Sequence, residues 1–133
     1  MEVLSSRTII HPRDLERSTA FYRDSLGLAV AREFGSGRFR GTVFFAGGGL
    51  LEVVGGRGDD GARPQGAVAL WLQVRDASAA VTELESRGVA IARPPVSEPW
   101  GLVEAWVEDP DGIRVHVVEV PEDHPLRRDT RSL

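Results

Sequence analysis

Cysteine is absent from this 133-residue chain, and disulfides, thiolate nucleophiles and thiolate metal ligands go with it. Lysine is absent too, so all sixteen basic residues are arginine. A guanidinium stays protonated and cannot act as an amine nucleophile, which excludes Schiff-base chemistry. No apolar run approaches the roughly 20 residues that span a bilayer. The opening Met1-Glu2-Val3 lacks the basic segment and apolar stretch of a secretory signal. These absences predict a cytoplasmic protein with no membrane partner. Net charge is −4 and the arginines are scattered rather than striped, so no nucleic-acid partner is expected. G-x-S-x-G and H-E-x-x-H motifs are also missing.

What is present is a duplication. Pro12-Arg13-Asp14-Leu15 and Val74-Arg75-Asp76-Ala77 each end an alternating apolar run and open a helical stretch. Those stretches close at Leu26-Gly27 and Arg87-Gly88, and each leads into another extended run. Asp14 and Asp76 lie 62 residues apart, a period too long for a solenoid unit. With 41% hydrophobic and 27% charged residues, the chain has the composition of one soluble domain with a real core. We therefore read residues 1–133 as a single pseudo-symmetric domain. Its modules span about 5–54 and 67–120, and a Gly-, Asp- and Arg-rich linker at 55–66 joins them.

Within the first module the pattern predicts a strand at 7–11, a helix over 15–26 capped by Asp14, and strands at 28–34, 42–45 and 50–54. The second repeats this with a strand at 67–74, a helix over 77–87 and strands at 89–92, 102–107 and 113–120. A proline-rich loop covers 93–100, and Asp109-Pro110-Asp111-Gly112 forms a turn. Each module is thus βαβββ, and the class is α+β. Alternation assigns faces. Leu51, Val53, Leu70, Leu72, Val74, Val115 and Val117 are expected under the helices. Arg7, Ile9, His11, Glu52, Trp71, Arg114, His116 and Val118 are expected on the hollow side, with Phe44 and Trp106.

The segment from Arg13 to Asp24 with Leu26-Gly27-Leu28, then Leu51-Glu52-Val53, then Glu108-Asp109-Pro110-Asp111-Gly112 resembles the vicinal oxygen chelate superfamily. That superfamily contains glyoxalase I, extradiol dioxygenases and bleomycin-resistance proteins. The resemblance covers nearly all of residues 5–120. It implies an eight-stranded, incompletely closed barrel or cup with helices on the outside, and commonly a homodimer. Its metalloenzymes seat ligands at positions that here hold Arg7, Glu52, Ala69 and His116. Only Glu52 and His116 can ligate a metal. His11 does not replace Arg7, because four residues along a strand is about 13 Å.

Catalytic divalent sites normally draw three or more protein ligands. An Arg7–Glu52 ion pair at that place is the simpler expectation. Trp71, the Pro99-Trp100-Gly101 loop and His116 look more like the bleomycin-resistance branch, whose members hold planar molecules without a metal.

The expected ligand is a small aromatic or antibiotic-like molecule held by Arg7, Phe44, Glu52, Trp71, Trp100, Glu104, Trp106 and His116. Core filling is the competing account of Phe44 and Trp106. No cofactor is expected. The alternative is a lyase, isomerase or dioxygenase holding Ni, Zn, Mn or Fe through Glu52 and His116. As an enzyme without metal, Glu52 and His116 would be the acid–base pair, with Arg7 beside a developing oxyanion. The match of Gly56 to Gly61 to G-x-G-x-x-G opens no helix and carries no nucleotide expectation. Arg57-Gly58-Asp59 is an adhesion motif by letter only, and His124 is expected to be solvated.

Overall fold

Each helix begins where an aspartate can cap it. Asp14 accepts the Arg17 amide at 3.0 Å and Asp76 accepts the Ala79 amide at 3.0 Å, satisfying donors that have no partner inside the helix. The computed structural model describes residues 1–56 and 68–125, so most of the 55–66 linker and its two letter motifs lie outside the described residues. Two units are distinguished, one of residues 1–56 with 109–112 and one of residues 68–108 with 113–125.

The first unit runs β1 (Thr8–Ile10), α1 (Leu15–Ala20), β2 (Val30–Phe34), β3 (Gly41–Ala46) and β4 (Gly49–Val54). Its sheet has the order β1-β4-β3-β2, with β1 parallel to β4 and the other pairs antiparallel. The second unit runs β5 (Ala69–Val74), α2 (Ala77–Ser86), β6 (Arg93–Ser97), β7 (Val103–Glu108) and β8 (Arg114–Glu119). Its order is β5-β8-β7-β6, again with one parallel pair, β5 with β8. The duplication read from the sequence is therefore a duplication of topology. The class is α+β, built as two four-stranded mixed sheets, and no hydrogen-bonded barrel closes among the described residues.

Two elements differ from expectation. The first helix is α-helical only to Ala20 and continues as a wider π-helical turn, Phe21–Ser25. That turn carries Tyr22, which is completely buried, with its ring edge-on to Phe21 and 6.4 Å from Phe44. Gly27 then reverses the chain at φ +72°, a conformation that costs glycine little.

The strand expected at 89–92 is instead Arg93–Ser97, inside the segment read as a proline-rich loop. Residue 89 is consumed by the helix end, where its amide bonds the Leu84 carbonyl at 3.0 Å just past Gly88 at φ +82°. Pairing with β7 starts one step later, at the Ala92 amide. Pro94 and Pro95 are tolerated because β6 is an edge strand, and the register slips between Arg93 and Val96.

Alternation decides what is covered. Leu51, Val53, Leu70, Val115 and Val117 are buried, while Ile9, Ala69, Trp71, Gln73 and Arg114 are exposed. Val118 departs from its neighbours: it shares their face yet is fully buried, in a cluster with Leu102 and Val120.

Candidate functional site

Strand pairing in the second unit lines four side chains across the sheet. Trp71 on β5 is opposite His116 on β8, His116 is opposite Trp106 on β7, and Trp106 is opposite Arg93 on β6. Paired residues share a face, so this row stands on the side of the sheet away from Leu70, Val115 and Val117. Glu104 is on the same face, opposite Val118.

Trp106 is enclosed. The Arg93 guanidinium lies 3.9 Å from its ring centre and that of Arg114 lies 4.2 Å away. Two guanidinium groups this close to one ring fit only on opposite faces, so both π surfaces are covered. His116 meets the indole edge-on at 5.5 Å. The expectation that Trp106 offers a free stacking surface is therefore corrected. Arg93 is anchored in turn by an ion pair with Glu98 and a 3.0 Å bond to the Glu104 carbonyl.

Glu104 is 7% exposed, and its carboxylate is engaged. One oxygen accepts the Trp100 indole N–H at 2.5 Å, and the other stands 3.5 Å from His116 Nδ1, too long for a good hydrogen bond. His116 Nδ1 is buried without a hydrogen-bond partner, as is Arg93 Nε. The loop bearing Trp100 is also held by His124, whose Nε2 lies 2.9 Å from the Trp100 carbonyl oxygen. His124 is thus half-buried against the loop rather than solvated. Trp71, 48% exposed, and Trp100, 58% exposed, are the indoles that remain open.

In the first unit Arg7 and Glu52 form the expected ion pair, at 2.8 Å, with Glu52 half-buried and Arg7 exposed. Phe44 is not on the open face. It pairs with Leu51, shares that residue's side of the sheet, and is fully buried near Tyr22. The core-filling account of Phe44 is the one the structure supports. Glu52 and His116 belong to different units, and within its own unit each has a charged neighbour, Arg7 for Glu52 and Glu104 for His116.

Three features were missed by sequence reasoning. Arg93 and Arg114 as indole partners depend on the register of three strands, and β6 had not been recognised. Tyr22 donates to Asp109 at 2.7 Å, and burial first, then the adjacent carboxylate, pushes its phenol well above the ordinary tyrosine range. The first unit also carries a groove of about 690 Å³ lined by residues including Leu15, Arg23, Phe34 and Arg40, where no site residue had been expected.

A βαβββ unit made twice, each with one parallel and two antiparallel strand pairs, defines a class of paired-module proteins. The chain belongs to the Glyoxalase/Bleomycin resistance protein/Dioxygenase superfamily, whose family model matches residues 6–117. It is similar to the solved structure of a member of that superfamily from Sphaerobacter thermophilus. The two are 29% identical with a TM-score of 0.71, over 89% of this chain and 98% of that one. It shares its fold with a glyoxalase/bleomycin resistance protein from a Streptomyces species, at 24% identity and a TM-score of 0.66, over 85% and 97% of the two chains. The same fold is found in lactoylglutathione lyase from Agrobacterium tumefaciens, at 21% identity and a TM-score of 0.65, over 90% and 94%. A search of curated proteins gives no match. Among the described residues, no helix is long and apolar enough to cross a membrane.

Proposed function

We propose that this protein binds a small, flat aromatic or antibiotic-like molecule without a metal, using the face of the second unit that carries Trp71. The observation that carries this reading is the pair of open indoles, Trp71 and Trp100, beside an aromatic row already rigidified by hydrogen bonds and guanidinium stacking. Large amphipathic rings fixed in place bind flat ligands at little cost in side-chain freedom.

The donor chemistry at the superfamily's metal positions supports the metal-free part of the proposal. Arg7 is a permanent cation already paired with Glu52, and Ala69 has no donor atom. Among the described residues, no group of three or more His, Asp or Glu side chains could hold a metal ion. These residues do not fit a catalytic divalent ion, which normally takes three or more protein ligands. A homodimer is part of the same proposal.

The test is elemental analysis of the purified protein together with titration of its indole fluorescence by a flat aromatic compound. Quenching that weakens in W71A, with no stoichiometric metal, is the expected result. Stoichiometric Ni, Zn, Mn or Fe that is lost in E52Q overturns it in favour of a metal-dependent lyase, isomerase or dioxygenase. Sedimentation equilibrium checks the dimer.

A further inference from the structure

The sign of charge on this face narrows the ligand class. Ala69 lies directly opposite Arg114, and Trp71 follows two residues along the same strand on the same face. Strand spacing and rise place the Trp71 and Arg114 backbones about 8 Å apart, and the methyl of Ala69 leaves the space beside both open. Arg114 is exposed and lays the flat face of its guanidinium on Trp106. Stacking uses that face and leaves the N–H edge free for a bidentate acceptor. No ion pair involves Arg114 among the described residues, whereas Arg93 is paired with Glu98. The carboxylate of Glu104 is buried and already bonded to Trp100, so it does not present itself to a cationic ligand. Glu108 faces Arg114 from β7 and is exposed.

We propose that the niche over Ala69, between Trp71 and Arg114, takes planar aromatic carboxylates, with the ring against Trp71 and the carboxylate on the Arg114 guanidinium. This inference rests on the reading of the Trp71 face as an aromatic-binding surface, and it adds the ligand's anionic group and the residue that selects it. Glu108 acts as the internal competitor for the same guanidinium.

Calorimetric titration of the full chain at neutral pH with 2-naphthoate, 2-naphthamide and 2-naphthylmethylammonium tests it, with indole fluorescence followed in parallel. The acid binds roughly tenfold or more tightly than the amide, the scale of a charge-assisted hydrogen-bonded pair. R114Q removes that preference, R114K retains part of it, and E108Q strengthens binding of the acid. Equal affinity for acid and amide, or tighter binding of the ammonium compound, overturns the anionic class while leaving the aromatic reading intact. If none of the three compounds binds or alters indole emission, both fall together. Because R114K and E108Q keep a charged or isosteric side chain, misfolding of R114Q does not remove the test.

Discussion

Tyr22 donates its phenolic hydrogen to Asp109, which is 87 positions further along the chain and 2.7 Å away. Asp109 is 5% exposed, and the second oxygen of its carboxylate accepts the Asp111 amide at 2.8 Å. Asp111 in turn accepts the Arg13 amide at 3.1 Å. The Asp-Pro-Asp-Gly turn is thus a polar plug of the first unit. A buried carboxylate is tolerable there because strong donors replace the water it loses.

That bond makes alkaline stability a report on one side chain. Tyr22 is the single tyrosine, and the chain has no lysine or cysteine, so no other side chain has its ordinary pKa between about 9 and 12. Burial and Asp109 raise the folded-state value, so the stabilisation is complete below the unfolded tyrosine value of about 10. Above it the unfolded chain releases a proton that the folded chain keeps. Stability then falls by about 1.4 kcal/mol per pH unit. Urea melts between pH 8 and 11 should show this limb in the wild type. Y22F should be less stable at pH 8, by about 1 to 2 kcal/mol, and flat across the same range.

Trp100 and Glu104 make a second deletion informative. W100F keeps an aromatic ring but removes the N–H that satisfies a buried carboxylate oxygen. An acceptor left without its donor costs about 1 to 3 kcal/mol, and partial solvation through the exposed loop places the expected loss near the lower end. Equilibrium denaturation measures it. The double variant W100F/E104Q should recover part of the loss, because a neutral amide is less costly to leave partly unpaired.

How much of this was legible in the sequence depended on how far apart the deciding residues lie. Asp14 and Asp76 announce their helices locally, and the alternation Leu70-Trp71-Leu72-Gln73 fixes the faces of β5 without other strands. Arg7 and Glu52 were paired correctly from strand facing and the resemblance alone. Thr42-Val43-Phe44-Phe45 gives no such phase, since three consecutive large apolar residues fit either face. Only the pairing of Phe44 with Leu51 puts it in the core. The Arg93–Trp106–Arg114 stack needs three strands in register, one of them hidden behind two prolines. The Tyr22–Asp109 bond has no local signature at all.

Helix α2 has two carboxylates at its start, and they do different work. Asp76 caps from the position just before the helix, whereas Glu119 reaches from β8 and accepts the amide of Ala77, a residue with no exposed surface, at 2.9 Å. Removing Glu119 leaves a buried N–H unpaired beside the positive end of the helix dipole. E119A should therefore lose about 1 to 2 kcal/mol in urea denaturation. E119Q retains an acceptor oxygen and should lose distinctly less.

The free edge of the second sheet beside β7 is protected by proline. β6 is an edge strand, and Pro94 and Pro95 remove two backbone donors from it, which makes the edge a poorer template for a foreign strand. The register slip between Arg93 and Val96 breaks the regularity of the same edge. Replacing both prolines with valine restores two N–H groups and adds two β-branched side chains beside Val96, which is already 42% exposed. P94V/P95V should keep the fold, because the row from Trp71 to Trp106 is unchanged, but self-associate more readily. Light scattering at matched concentrations should rise over hours for the variant and stay level for the wild type. Equal behaviour of the two would mean that the prolines serve only the shape of the loop before Trp100.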